Sequence, residues 1–242
     1  MAANRPLKNK NFLITGSAQG FGYDLAIKLS QLGASLILLD KQLDKLKVLE
    51  KELSSNTQGN HMILALDFLG ATYDDYVAMS DVVKDKFDVI DGIIFNASSL
   101  GSLSPLAHYE PLTWAKTFQV NVHSNFLMYK TMHGLLNQPT DTTLLFVLAP
   151  EIEVCKPNWG AYYVTKQTQK AMLELIASEN NETSIKTYGI IPRPMNTALR
   201  RQAYPGKNNS SLPSPKKNIE LILSLILNPE LFKNGQTVTV AR

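Results

Sequence analysis

The chain has 242 residues, 44% apolar and 19% charged, enough for one globular domain with a substantial core. Its net charge of +3 is spread without any run of five like charges, which excludes the clustered Lys and Arg of a nucleic-acid surface. A single cysteine, Cys155, excludes an internal disulfide and fits a reducing compartment.

The four histidines, His61, His108, His123 and His133, lack metal-ligand spacing, so no metal site is expected. The opening "MAANRPLKNKNFLITG" has no apolar signal core. No apolar run approaches the roughly 18 residues that suggest a membrane span. The expectation is a soluble cytoplasmic protein with neither a membrane nor a nucleic acid as partner.

Strand-like apolar runs alternate with helical patterns. "NFLIT" (Asn11–Thr15) reads as a buried strand, followed by glycines and a helix through about Leu32, which Gly33 ends. "SLILL" (Ser35–Leu39) is a second strand, and leucines at helical spacing over Asp44–Leu53 predict a second helix. "MILAL" (Met62–Leu66) is a third strand before a helix over about 72–86. "IDGIIF" (Ile90–Phe95) is a fourth, and a long helix is expected over Pro111–Leu136, with Pro111 near its start. "TLLFVL" (Thr143–Leu148), a helix over about Trp159–Glu179, "IKTYGII" (Ile185–Ile191) and "QTVTV" (Gln236–Val240) complete the series. Continuous apolar strands alternating with helices predict an α/β, Rossmann-type doubly wound parallel sheet of about seven strands, helices on both faces, in one domain over 1–242. The segment Arg193–Pro215, rich in Pro, Asn, Ser and basic residues, follows the carboxyl end of the sixth strand. It reads as a substrate lid, or as a mobile surface insertion.

"TGSAQGFG" places Gly16, Gly20 and Gly22 where the first strand turns into the first helix. Glycine there allows tight turning and close approach of a phosphate to the helix's unpaired N–H groups. Asp40 ends the second strand, 18 residues after Gly22. A carboxylate there accepts hydrogen bonds from adenosine ribose hydroxyls and repels a 2′-phosphate, which favours NAD. Lys41 beside it offsets some of that repulsion, so NADP is possible.

Tyr162 and Lys166 stand four apart on a predicted helix and share one face. A nearby ammonium favours phenolate over phenol, so the pair could exchange a proton with an alcohol or carbonyl near neutral pH. Taken alone, Tyr-x-x-x-Lys is as well explained by a half-buried aromatic beside a solvated lysine. Its force comes from position, downstream of the glycine turn.

With these residues in place the chain resembles the short-chain dehydrogenase/reductase family over Asn11–Val240. The likeness is carried by "TGSAQGFG", "LDF" (Leu66–Phe68), "FNAS" (Phe95–Ser98), "QVNV" (Gln119–Val122), "NWGAYYVTK" (Asn158–Lys166) and "PRPMNT" (Pro192–Thr197). "NWGAY" and the C-terminal third look most like the bacterial YciK-like oxidoreductase branch. The resemblance implies that Gly16, Gln19, Gly20, Phe21 and Gly22 lie under the pyrophosphate, with Asp67 and Phe68 beside the adenine. It implies that Asn96 and Ala97 support the cofactor and that Pro192 and Thr197 flank the nicotinamide. Asn121 would position a water in a proton relay, and Tyr162 would be the general acid/base. Lys166 would bind the nicotinamide ribose and lower the tyrosine's pKa. The resemblance also implies a small-molecule alcohol or carbonyl substrate and a homodimer or homotetramer built on the helices around Pro111–Leu136 and Trp159–Glu179.

Three positions depart from the family pattern. Its serine, thirteen residues before the tyrosine, is Ala149 here. Loss of a comparable hydrogen-bond donor costs about 10²–10³ in rate. Pro150 cannot replace it; Glu151, Cys155, Asn158 or a water could. The family's Asn-Ala-Gly ends in Ser98, with loss of backbone freedom. Its Pro-Gly becomes Pro192-Arg193, and Pro194 should hold Arg193 extended, facing either an anionic group or solvent. Two readings follow: an NAD(P)-dependent oxidoreductase of weak or atypical activity, or a catalytically impaired dinucleotide-binding scaffold.

Overall fold

The computed structural model describes residues 5–56, 59–136 and 141–240. The ends of the expected domain, Met1–Asn4 and Ala241–Arg242, lie outside the described residues. Seven strands form one sheet: β1 (Asn11–Thr15), β2 (Ser35–Asp40), β3 (His61–Ala65), β4 (Gly92–Phe95), β5 (Thr142–Val147), β6 (Ile185–Ile191) and β7 (Thr237–Thr239). Their order is β3-β2-β1-β4-β5-β6-β7, and every neighbouring pair is parallel. The order reverses direction beside β1, and such a switch point opens a crevice at the strands' carboxyl ends.

The period of two along each strand divides the core. Leu13, Ile37, Ile93, Leu144 and Phe146 face α3 (Tyr73–Lys84), α5 (Ser124–Leu136) and α6 (Gly160–Glu179). Their neighbours Phe12, Ile14, Leu36, Leu38, Ile94 and Leu145 face α1 (Gly20–Gln31), α2 (Leu43–Asn56) and α8 (Lys216–Leu227). Each face is thus covered by helices, and the strands are apolar on both sides.

Two features differ from the sequence expectation. The long helix over Pro111–Leu136 is α4 (Pro111–Phe118) and α5 joined by a wider π turn, Gln119–His123. Such turns add one residue to a helical circuit without breaking it and are frequent at functional sites; this one carries the buried Asn121. The segment after β6 is also more ordered than its composition implies. It contains α7 (Ala198–Ala203), and α8 begins at its far end. The apolar run "IELILSLIL" within α8 has helical spacing, and Asn218, Ile219, Ile222 and Leu225 are its buried residues.

Candidate active site

The crevice at the carboxyl edge of the sheet is a cavity of about 640 Å³. At one end lies the glycine turn between β1 and α1. Gly16 and Gly20 hold left-handed backbone, with φ of +66° and +58°. Gly22 lies beneath the turn, where a Cβ would sit 2.3 Å from the Gly16 carbonyl oxygen and 2.6 Å from Asn96 Nδ2. Above Gly20 the nearest side-chain atom to such a Cβ is Thr197 Cγ2, at 3.5 Å. The helix N-terminus therefore opens toward α7, with Gln19 as an N-cap that makes no side-chain capping bond and with no acidic residue in the first turn. Uncapped N–H groups and a backbone without side chains suit a pyrophosphate.

Asn96 braces this turn. Its Nδ2 donates to the carbonyls of Thr15 and Gly16, both at 3.0 Å. The N–H groups of Asn96 and Ala97 both donate to Thr15 Oγ1 at 3.0 Å. Asp67 and the buried Phe68 line the same cavity; Phe68 stacks on Tyr76 within the core.

Asp40 is buried and committed. Its Oδ2 accepts from Ala18 N–H at 3.2 Å, and its Oδ1 accepts from Gln42 N–H at 3.0 Å. Lys41 is exposed beside it, and Lys45 reaches the turn by donating to Gln19 Oε1 at 2.9 Å.

The chemical end is built by β5, α6 and the loop after β4. Tyr162 and Lys166 are buried on one face of α6, and both line the cavity. Tyr163 does not line it; its hydroxyl accepts instead from Gln167 Nε2 at 3.0 Å. The start of α6 is set by Gly160, whose φ is +46° and whose Cβ would meet the Tyr109 ring at 2.1 Å. Lys166 Nζ donates to the Val147 carbonyl at 2.8 Å and lies 5.8 Å from the centre of the Tyr162 ring.

The electrostatics differ from the sequence expectation. Burial pushes the Tyr162 phenol above its ordinary value, the Glu151 carboxylate adds to the rise, and only a hydrogen bond with the Ser98 hydroxyl works against it. Burial lowers Lys166 to about 7, against a smaller upward pull from Glu151. Burial and Glu151, not Lys166, set the direction of the Tyr162 shift in this site.

Asn121, on the π turn, is fully buried. Its Oδ1 accepts from Ser99 N–H at 2.7 Å and from Ser98 Oγ at 3.4 Å. Its Nδ2 donates to the Ser99 carbonyl and to Thr165 Oγ1, both at 2.9 Å, and its carbonyl accepts from Gln169 Nε2 at 2.6 Å. The side chain's two donors and two acceptor sites are thus used. It clamps the 98–99 loop to α6.

Of the groups that could replace the missing serine, Cys155 and Asn158 are exposed, Asn158 with φ of +71°. Glu151 is buried in the turn Pro150–Ile152 and lines the cavity, but an ionised carboxylate only accepts hydrogen bonds. Ser98 lines the same cavity, and its hydroxyl donates to Asn121 Oδ1 at 3.4 Å.

The far wall is the segment after β6. Pro192 is buried, and Thr197 caps α7 by accepting from Arg200 N–H at 3.2 Å. Asn218 of α8 grips the Arg193 main chain, accepting from its N–H at 2.8 Å and donating to its carbonyl at 3.2 Å. Arg193 lines the cavity. Tyr204 packs on Trp159, which packs on Tyr162, with ring centres 5.8 and 5.7 Å apart. Among the described residues no group of three His, Cys, Asp or Glu could hold a metal, and no helix is long and apolar enough to cross a membrane.

Comparisons with known proteins agree with this architecture. The oxidoreductase YciK of Escherichia coli K12, described as uncharacterized, is 26% identical over 231 residues, 96% of this chain and 91% of its own. A Pseudomonas syringae short chain dehydrogenase structure superposes with a TM-score of 0.94 at 28% identity, covering 100% of this chain and 98% of that one. An Escherichia coli CFT073 short chain dehydrogenase, complexed with NADPH, gives 0.93 at 26% identity over 99% of both chains. The family model for short chain dehydrogenases matches residues 10–208. With this match added to the glycine turn, the parallel sheet and the tyrosine–lysine helix, the chain belongs to the short chain dehydrogenase family of oxidoreductases and sits with its YciK-like members.

Proposed function

We propose that the protein interconverts a small carbonyl compound and its alcohol with NADP(H), using Tyr162 as the acid/base. One observation carries the reading: Tyr162 and Lys166 are buried side by side, one helical turn apart, in the same cavity that the glycine turn opens into. The nicotinamide supplies or accepts the hydride. The turn from Gly16 to Gly22 would hold the pyrophosphate, Asp67 and Phe68 the adenine, Pro192 and Thr197 the nicotinamide, and Lys166 its ribose.

Tyr162 holds a proton at neutral pH because its surroundings disfavour the phenolate. It is therefore set to donate to a carbonyl oxygen as hydride arrives on the adjacent carbon. Asn121 acts as a positioning residue, fixing the 98–99 backbone against α6. Arg193 and Arg200 on the far wall favour a substrate with an anionic group.

The choice of NADP over NAD rests on Asp40 and its neighbours. Both oxygens of Asp40 accept backbone N–H groups, of Ala18 and Gln42, which occupies part of the carboxylate's capacity for ribose hydroxyls. Lys41 and Lys45 stand at the rim, where a 2′-phosphate would lie. The relative crystallised with NADPH supports the same preference. The segment 193–215 serves as the substrate lid, with α7 forming the cavity wall.

The test is NADPH oxidation with a panel of aldehydes and ketones by wild type and Tyr162→Phe. A loss of about 10²-fold or more is expected, with dinucleotide binding retained. Equal rates in the two proteins would refute the reading. Tighter binding of NADH than of NADPH would refute the cofactor preference.

A further inference from the structure

The wall that runs from Tyr162 toward α7 is apolar. Leu100, Ala149, Trp159, Tyr162 and Ala203 form one buried cluster, Tyr204 packs against it, and all of them line the cavity. Ala149 is therefore part of a continuous apolar lining that a serine hydroxyl would interrupt.

The lining ends at a cation. Arg200, within α7, lines the same cavity. Its main chain is held on both sides: its N–H donates to Thr197 Oγ1 at 3.2 Å, and its carbonyl accepts from Tyr204 N–H at 3.0 Å. Its guanidinium carbon lies over the Tyr204 ring, 3.8 Å from the centre. Its Nε is buried and, among the described residues, donates to nothing. Glu151, the buried carboxylate of this wall, does not serve it. Glu151 Oε1 accepts instead from the Tyr204 hydroxyl at 3.1 Å, and among the described residues Arg200 makes no ion pair. Arg201 differs on each count: it is exposed, it does not line the cavity, and its Nη1 donates to Asn196 Oδ1 at 2.8 Å. A buried guanidinium N–H without an acceptor costs free energy, and an anionic ligand removes that cost.

We propose that the substrate is an oxo acid, or the matching hydroxy acid, with an apolar body between carbonyl and carboxylate, and that Arg200 selects it by pairing with the carboxylate. This rests on the oxidoreductase reading above and adds the substrate's charge and shape. The carbonyl lies at Tyr162, the apolar body along Leu100, Ala149 and Trp159, and the carboxylate at Arg200. Trp159 packs on both Tyr162 and Tyr204, with ring centres 5.7 and 5.8 Å away, so a spacer must pass its ring to join the two ends. A guanidinium offers a planar carboxylate two parallel N–H groups, and such charge-assisted pairs are the strong ones. In reduction the dinucleotide's hydride bonds to the carbonyl carbon and the Tyr162 proton to its oxygen, while the carboxylate is unchanged.

The experiment measures NADPH oxidation with 4-formylbenzoate, its methyl ester, 4-formylphenyl phosphate and glyoxylate, which has no spacer. The proteins are wild type, Arg200→Met, Arg193→Met, Arg201→Met and Tyr162→Phe. The same compounds are titrated by calorimetry into wild type loaded with NADP⁺, where no reduction can occur. Wild type should favour 4-formylbenzoate over the ester by about 10–100-fold in kcat/KM, and should use glyoxylate poorly. Arg200→Met should remove most of that preference by raising KM for the acid, with KM for the ester and the affinity for NADPH within about twofold. Arg201→Met should keep the preference. Equal use of acid and ester by wild type, a comparison that needs no variant, overturns the proposal. So does a preference that survives in folded Arg200→Met or is lost only in Arg193→Met, or an Arg200→Met defect in NADPH binding instead. Better use of the phosphate or of glyoxylate than of 4-formylbenzoate overturns the substrate assignment. If none of the compounds is turned over, calorimetry decides, and equal binding of acid and ester overturns the proposal. Retained activity in Tyr162→Phe would instead sink the oxidoreductase reading, so the two failures are distinguishable.

Discussion

Tyr204, the residue after α7, donates its phenolic hydrogen to Glu151 Oε1 at 3.1 Å. The bond joins the far wall of the cavity to the turn that follows β5. It is supported by the Arg200 guanidinium, 3.8 Å from the Tyr204 ring centre, and by the contact with Trp159. Tyr204→Phe keeps the ring contacts and removes the bond. A half-buried bond to a carboxylate contributes on the order of 1 kcal/mol, so Tm should fall by about 2–4 °C. KM for the carbonyl should rise several-fold while kcat changes less. Unaltered KM and Tm would show that the bond does not hold the wall in place.

Glu151 should be visible in the pH profile. Its charge raises the pKa of both Tyr162 and Lys166. Glu151→Gln removes that charge and leaves an amide that can still accept from Tyr204. Alcohol oxidation requires the phenolate, so its rate should rise at lower pH in the variant than in wild type. Carbonyl reduction requires the phenol, and its alkaline decline should move in the same direction. Superimposable profiles would contradict the electrostatic assignment.

Lys166 makes a prediction about stability. Its amine is lowered from 10.5 to about 7 in the folded protein. Between those values the unfolded chain holds a proton that the folded chain does not. Stability therefore falls as pH decreases through that window, and the penalty is complete below it. Lys166→Met carries no such proton. The Tm of the variant relative to wild type should rise as pH is lowered from about 10 to about 7 and level off below that. A difference independent of pH would show that the folded amine keeps its ordinary pKa.

Two glycines in the turn should fail in different ways. Gly22→Ala drives a methyl group against the Gly16 carbonyl and Asn96 Nδ2, at 2.3 and 2.6 Å, and should cost about 1–3 kcal/mol of stability. Gly20→Ala meets nothing closer than 3.5 Å, but its φ of +58° adds strain of about 1–2 kcal/mol. On the proposed function its methyl group would also enter the dinucleotide's path, since Gly20 lines the cavity. Thermal unfolding with and without NADPH separates the two. Gly22→Ala should melt low in both conditions, while Gly20→Ala should lose most of the upward shift that the cofactor produces.

The sheet was legible because each strand is a continuous apolar run bounded by turn residues, and parallel strands buried on both faces need no other signal. Tyr162, Lys166 and the glycine turn were legible for a similar reason: their chemistry is local in the chain. The π turn was not, because one extra residue in a helical circuit leaves the apolar spacing of Pro111–Leu136 almost unchanged. The electrostatics were less legible still. Whether Lys166 acidifies Tyr162 depends on burial and on Glu151, eleven residues earlier in the chain, and neither is encoded in the spacing of the pair. Ser98 read as a lost glycine because its partner Asn121 reaches it only through the fold.

The loop leaving β4 ties the two ends of the crevice together. Within four consecutive residues, Asn96 steadies the glycine turn, Ser98 lines the cavity that Tyr162 also lines, and Ser99 locks onto Asn121 of the helix that crosses behind them. On the function proposed above, seating of the dinucleotide and aim of the acid would therefore be mechanically one adjustment. An insertion or deletion anywhere in this quartet would misalign both at once, leaving little room for one half of the active site to drift while the other stays true.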